Sequence, residues 1–103
     1  MSSSQILKNL KVNEQDLTKI CKRYGIAKLY FFGSAVRGEL NNNSDIDILY
    51  ELQPNISLGF AINRLEDDLS KMFGREIDLI SKKSLHELLQ ETVLVEAQEI
   101  YAA

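Results

Sequence analysis

The chain has 103 residues, of which 45% are hydrophobic and 26% are charged, and its formal net charge is -3. This length fits one small domain, and the composition is that of a globular protein rather than a disordered or membrane-embedded one. The negative charge disfavours a general nucleic-acid surface, and no apolar run approaches the roughly 20 residues of a membrane span. The amino terminus lacks a signal-peptide pattern, so we expect one cytoplasmic domain over residues 1–103.

The first part of the chain predicts two helices. The first is short and extends from Ser4 to Leu10. The second begins after Asn13, a favourable N-cap residue, and ends at Gly25. Cys21 occupies an apolar position of the second helix, and because it is the chain's one cysteine it predicts a buried thiol and no internal disulfide.

Two strand-like segments follow, separated by a glycine turn and a polar loop. Residues 27–32 (AKLYFF) predict a buried strand that ends at Gly33, and residues 34–39 predict a short helix or turn. The polar loop of residues 41–44 leads into a second strand over residues 45–52 (DIDILYEL). These segments supply the first two strands of a predicted sheet.

The second half of the chain predicts a helix, a third strand and a helical carboxyl-terminal segment. Ser57 is the expected N-cap of a helix that ends at Gly74, and residues 75–81 (REIDLIS) predict the third strand. A helical crossover of this kind joins parallel neighbouring strands. Residues 84–101 begin with a capping-box pattern and carry apolar residues at helical spacing, which predicts one bent helix or two. The expected fold is α/β (α+β), with a small mixed sheet flanked by helices in two or three layers.

Two aspartates lie on one face at the start of the second strand. Alternation directs Asp45, Asp47 and Leu49 to one side of the sheet and the intervening residues to the other. The two carboxylates would then lie about 7 Å apart at Cα, close enough to share one or two divalent cations. Two solvent-facing charges would give the same pattern, but aspartate disfavours strands and neighbouring carboxylates repel each other, which favours metal binding.

A third acid, Asp78, repeats this pattern on the third strand. If the second and third strands are neighbours, Asp78 approaches Asp45 and Asp47 and completes a cluster that needs cations. Two of the carboxylates would hold metal, and the third would bind a second metal or take the proton from an attacking hydroxyl. The plainer interpretation of Asp78 is a charge on an edge strand.

Gly33 and Ser34 form a turn after a buried strand, where free backbone amides can face a phosphate. The Ser34 hydroxyl adds a hydrogen-bonding group, and Arg37 lies about one helical turn away, where it can neutralise phosphate charge. Arg37 could equally pair with Glu39 or with another acid at the surface. The glycine turn and the acids together indicate metal-dependent chemistry on a nucleoside triphosphate.

The order Gly33-Ser34, ten residues, Asp45-x-Asp47 and a later Asp78 resembles the nucleotidyltransferase superfamily of the DNA polymerase beta type. The segment GSAVRGELNNNSDIDILYEL is similar to its minimal nucleotidyltransferase (MNT) branch. The resemblance implies a palm-like mixed sheet, two Mg²⁺ ions, and transfer of a nucleoside monophosphate from a nucleoside triphosphate to a hydroxyl. The site residues that it implies are Gly33, Ser34 and Arg37 for the triphosphate, and Asp45, Asp47 and Asp78 for metal and catalysis.

Members of the MNT branch are often encoded beside a HEPN-family toxin and act as its antitoxin, some by attaching AMP to a tyrosine of that toxin. The resemblance therefore implies a protein adenylyltransferase that uses ATP and forms a hetero-oligomer with a toxin. Two other functions stay open: nucleotidyl transfer to a small hydroxylated molecule, and neutralisation of the partner by binding alone. Leu94 and Val95, off the main apolar stripe of the last segment, are candidates for such an interface.

Overall fold

The computed structural model describes residues 3–41 and 45–103, which form five α-helices and one four-stranded sheet. The helices are α1 (Ser3–Asn9), α2 (Glu14–Tyr24), α3 (Ser34–Arg37), α4 (Ala61–Phe73) and α5 (Glu87–Glu96). The strands are β1 (Ile26–Phe32), β2 (Ile46–Leu52), β3 (Ile77–Ser81) and β4 (Gln98–Ala102). Apart from its first residue, the polar loop predicted over residues 41–44 lies outside the described residues. None of the described helices combines the length and the apolar character needed to cross a bilayer.

The sheet is mixed and has the strand order β3-β2-β1-β4. Strand β1 pairs antiparallel with β2 and with β4, whereas β2 and β3 are parallel. The parallel pair is connected through α4, as the crossover pattern predicts. The expected α+β fold with a small mixed sheet is therefore confirmed.

One face of the sheet carries the main hydrophobic core. Leu29 and Phe31 of β1 point to this face, and Ile48 of β2 is the register partner of Phe31. All three side chains are fully buried. Phe31 also meets Phe73 of α4 edge to face, with ring centroids 5.8 Å apart. Helices α1, α2 and α4 cover this face with buried residues that include Ile6, Leu17, Leu65 and Leu69.

Helix α2 has both of its predicted ends. Asn13 accepts hydrogen bonds from the backbone N–H groups of Gln15 and Asp16 at 2.8 and 3.2 Å, and Gly25 ends the helix in the left-handed conformation. Cys21 is fully buried, and this burial raises the pKa of its thiol to about 12. The predicted buried thiol is therefore confirmed, and it acts as a packing group rather than a nucleophile.

Helix α4 begins at Ala61 rather than directly after Ser57, so the predicted N-cap is wrong. Gly59 has a φ of 51° and directs the chain into a turn. The Ala61 N–H closes this turn by donating to the Leu58 carbonyl at 2.8 Å. A left-handed residue interrupts a right-handed helix, so the helix starts only after the turn.

The carboxyl-terminal segment departs furthest from the sequence-based prediction. Instead of one or two helices over residues 84–101, α5 ends at Glu96 and the chain continues as β4. Ser84 does not cap a helix but belongs to a 3-10 turn at Lys82–Ser84. Strand β2 pairs with one side of β1 and leaves the backbone hydrogen-bonding groups of its other side without partners. Strand β4 pairs with that other side and satisfies these groups. This pairing outweighs the helical spacing of the apolar residues, and the described sheet has four strands where three were expected.

Candidate active site

The candidate site lies at the end of the sheet where β2 and β3 begin. Because these strands are parallel neighbours, their register makes Asp47 and Asp78 direct partners. Asp45 comes immediately before β2, and Phe32, at the end of β1, is the partner of Asp47 on its other side. The strand adjacency on which the predicted approach of Asp78 depends is confirmed.

The acids lie on the sheet face opposite the main core. Alternation along β2 places Asp47 and Leu49 on this face, where their β3 partners are Asp78 and Ile80. Leu49 is fully buried although it is not part of the main core. Asp47 is half-buried, whereas Asp45 and Asp78 are exposed. The acids therefore border an apolar row on one side and open to solvent on the other.

Gly33 packs directly against Asp47. Its φ of 68° and ψ of -141° lie in a region that residues with a side chain rarely adopt. A Cβ atom at this position would stand 2.5 Å from Oδ2 of Asp47. Helix α3 starts at the next residue, Ser34, whose side chain is half-buried. The predicted glycine turn therefore borders the acids, and the short helix expected after it is present.

Asp47 carries the perturbed carboxylate of this site. Partial burial raises its pKa most, the charges of Asp78 and Asp45 raise it further, and Arg37 lowers it. The mutual repulsion of the acids would be relieved by a cation, and carboxylate oxygens are the ligands that Mg²⁺ prefers, so residues of this type fit a magnesium site. Across residues 3–41 and 45–103, however, no three Asp, Glu, His or Cys side chains are grouped closely enough to hold a metal ion, so the predicted gathering of Asp45, Asp47 and Asp78 into one set of ligands is not seen.

The raised pKa of Asp47 predicts that this residue opposes folding at neutral pH. The folded protein holds the Asp47 proton more tightly than the unfolded chain does. The free energy of unfolding therefore falls as the pH rises from the ordinary aspartate pKa of about 3.9 through the raised one. Asp47→Asn should raise the Tm near pH 7 and raise it less near pH 3, as measured by calorimetry.

The matched control for this pH dependence is Asp67→Asn, since Asp67 is an exposed aspartate on α4, away from the site. Its Tm should respond little to the substitution at either pH. If the two variants changed the Tm equally at both pH values, the destabilising role of the Asp47 charge would be contradicted.

Arg37 is held by two glutamates at the edge of the site. Its Nε donates to Oε1 of Glu39 at 3.1 Å, and its Nη1 donates to Oε1 of Glu96 at 2.6 Å. The hydrogen bond to Glu96, more than any other contact, raises the pKa of Arg37 above its usual value. Arg37 was expected to pair with Glu39 or with another acid, and it pairs with Glu39 and with Glu96.

Glu96 is the residue of this site that the sequence does not indicate. It is the last residue of α5 and is separated from Arg37 by 59 positions. No spacing rule connects two residues at that separation, and residues 84–101 were expected to be helical throughout. Glu96 lies where α5 ends and the chain turns into β4, and its carboxylate reaches Arg37 from there.

A cavity of about 210 Å³ lies on the other side of α3, between α1, α3 and Arg75. Ala35 of α3 and Gly38, the residue after this helix, contribute to its wall, but none of the candidate site residues does. The acids and the glycine turn therefore form an open surface rather than part of this cavity.

Comparisons with known proteins identify the family and the fold of the chain. The family described as polymerase beta, nucleotidyltransferase, matches residues 15–103. A protein adenylyltransferase of Thermococcus cleftensis is 39% identical over 75 residues, which are 73% of this chain and 75% of that protein. A solved structure provisionally described as a minimal nucleotidyltransferase is 29% identical, with a TM-score of 0.73 and 94% of each chain covered.

A further solved structure shares the fold at lower sequence identity. It is a rebuilt structure of a tri-AMPylated Shewanella oneidensis HEPN toxin in complex with an MNT antitoxin. The TM-score is 0.63 at 20% identity, with 91% of this chain and 73% of the matched chain covered. At that identity the likeness shows a common fold.

Proposed function

The chain belongs to the polymerase beta type of nucleotidyltransferases, and we propose that it transfers AMP from ATP to a hydroxyl of a HEPN-family toxin and so acts as its antitoxin. The observation that carries the proposal is the register pair of Asp47 and Asp78 beside Gly33. The Thermococcus relative is named a protein adenylyltransferase, and the Shewanella complex contains an AMPylated toxin. Both support a protein acceptor over a small hydroxylated molecule.

The proposed substrate contacts come from the turn and from α3. The backbone N–H groups of Gly33 and Ser34 and the Ser34 hydroxyl would bind the triphosphate. The Arg37 guanidinium would neutralise part of its negative charge. When bound, Mg²⁺ supplies positive charge that stabilises the phosphate oxygens, and two ions are the expected number. The residues that fit as its ligands are Asp45, Asp47 and Asp78.

The proposed reaction is a displacement at phosphorus. Asp78, which is exposed on the edge strand β3, would take the proton of the acceptor hydroxyl. The acceptor oxygen then bonds to the α-phosphorus of ATP, the bond from that phosphorus to the bridging oxygen breaks, and pyrophosphate leaves. The turn at Gly33 contributes by holding the phosphates in one orientation. A tyrosine is the expected acceptor, and the cytoplasm is the expected compartment.

Neutralisation by binding alone is the second candidate function. Val95 on α5 is 89% exposed, and such an apolar side chain suits a protein contact. Leu94, the other residue of the predicted interface pair, is half-buried. Val95 is the neighbour of Glu96, so this surface borders the Arg37 side of the site. A partner that docks here would be compatible with either function, and complex formation alone does not separate them.

Labelled ATP tests the proposed transfer. The chain, Mg²⁺ and a HEPN-family partner should yield a covalently labelled partner when the label is in the α-phosphate. ATP labelled in the γ-phosphate should leave the partner unlabelled, because that phosphate departs in pyrophosphate. Mass spectrometry of the partner then identifies the acceptor residue. A folded partner that binds the chain but takes up no α-label would contradict transfer and leave the binding function.

A further inference from the structure

We propose that Glu96 limits nucleotide affinity by occupying the Arg37 guanidinium that the triphosphate must recruit. This inference rests on the proposed function, because it concerns the proposed contact of Arg37 with phosphate. The bond from Nη1 of Arg37 to Oε1 of Glu96, at 2.6 Å, is the shorter of its two bonds to carboxylates. A carboxylate and a phosphate offer the guanidinium the same kind of charged oxygen acceptor. Glu96 is thus an internal anion at the proposed phosphate contact.

Glu96 is held differently from Glu39, the other acid on Arg37. The Glu39 side chain is 59% exposed, lies two residues from Arg37 and accepts at 3.1 Å. The Glu96 side chain is 34% exposed and joins α5 to α3. Solvent and salt screen a less exposed pair with a shorter hydrogen bond less strongly. Glu96 is therefore the stronger of the two competitors.

The hydrogen-bond geometry and the charge of Glu96 both act to lower the affinity for nucleotide. Two of the five N–H groups of the guanidinium, on Nε and Nη1, point at the two glutamates, so a phosphate that takes the Nη1 hydrogen bonded to Glu96 must displace this glutamate. The Glu96 carboxylate also repels the negative charge of the triphosphate at close range. Nucleotide binding and the contact between α5 and α3 are consequently coupled, because the triphosphate that engages Arg37 releases the end of α5.

Titration calorimetry with Mg-ATP tests this competition in four forms of the protein: wild type, Glu96→Gln, Glu39→Gln and Glu66→Gln. Glu66 is an exposed acid on α4, so its substitution repeats the charge change away from the site. We expect Glu96→Gln to bind Mg-ATP roughly two- to fivefold more tightly, as suits a partly exposed ion pair. Glu39→Gln should show a smaller gain, and Glu66→Gln should bind as the wild type does.

A double-mutant cycle separates competition for Arg37 from a general effect of charge. In an Arg37→Ala background, Glu96→Gln should raise the affinity for Mg-ATP by clearly less than it does beside Arg37, because only the direct repulsion by the Glu96 carboxylate is then removed. Equal affinities of the wild type and Glu96→Gln, or a gain of the same size without Arg37, would overturn the competition for Arg37 and leave the proposed function standing.

Loss of folding is monitored separately by thermal unfolding of each form. Should Glu96→Gln fail to fold, Glu96→Asp provides the second variant, because it keeps the charge and shortens the reach to Arg37. It should also bind Mg-ATP more tightly than the wild type, and unchanged affinity would count against the competition. If no folded form bound Mg-ATP at all, the role of Glu96 and the proposed function would both be overturned.

Discussion

Asp47→Asn should strongly slow nucleotide transfer while the fold and the complex with the partner persist. Asp47 is the register partner of Asp78, and Gly33 packs against its carboxylate. Asn has nearly the same size but lacks the negative charge that a cation bound with the triphosphate requires. We expect the transfer rate to fall roughly a hundredfold to a thousandfold, the effect of removing one charge-stabilising group from an active site.

The rate is best measured in a single turnover with ATP labelled in the α-phosphate, so that product release does not limit it. Asp67→Asn is the matched control, because it makes the same change on an exposed face of α4. Complex formation with the partner is followed by gel filtration. If Asp47→Asn transferred AMP at the wild-type rate, the proposed catalytic role of Asp47 would be refuted.

A double variant that also carries Asp45→Asn separates the two candidate functions in cells. Neutralisation of the toxin that survives in the double variant Asp45→Asn, Asp47→Asn would favour inhibition by binding. Toxicity that returns although the complex still forms would favour transfer. This test requires that the variant still folds. The raised pKa of Asp47 shows that its ionised form is disfavoured in the folded protein, so the loss of its charge should not destabilise the fold.

The pairing of Asp47 with Asp78 could be predicted from sequence because it depends on local patterns. Alternation fixes which face each aspartate occupies, and the helical crossover between the strands fixes their parallel direction. The end of α2 at Gly25 was predictable for the same reason, since a left-handed glycine stops a helix wherever it occurs. The end of α2 required no knowledge of distant parts of the chain, whereas the approach of Asp78 to Asp47 was conditional on β2 and β3 being neighbours, which the structure confirms.

The contact of Arg37 with Glu96 could not be predicted because it depends on whether the distant carboxyl-terminal segment forms a helix or a strand. The apolar residues of the carboxyl-terminal segment suit a helix as well as a strand. The unpaired side of β1 decides between them, because its backbone groups need partners and β4 supplies them. Once β4 is formed, α5 has to end at Glu96, and the acid reaches α3. This contact at the edge of the site thus follows from sheet pairing rather than from any motif.

Gly33→Ala should cost more stability than Gly74→Ala, although both glycines have a positive φ. Gly74 has a φ of 66° and a ψ of 26°, and an added Cβ would meet nothing within 4 Å, so alanine there should cost about 1–2 kcal/mol. Gly33, with its ψ of -141°, occupies a conformation nearer the glycine-only region, where a side chain costs about 1–3 kcal/mol. The contact with Asp47 adds to that cost.

The activity of the two glycine variants should differ even more than their stability. In Gly33→Ala the new Cβ would stand 2.5 Å from Oδ2 of Asp47, which is closer than real contacts allow, so the carboxylate or the turn has to move. Either shift separates the proposed phosphate contacts from the acids, and a displacement of about 1 Å is enough to reduce a rate roughly a hundredfold. We therefore expect Gly33→Ala to lose transfer at temperatures where urea titration shows it folded, and Gly74→Ala to retain it. Equal transfer rates in the two folded variants would mean that the close approach of Gly33 to Asp47 is not required for the reaction.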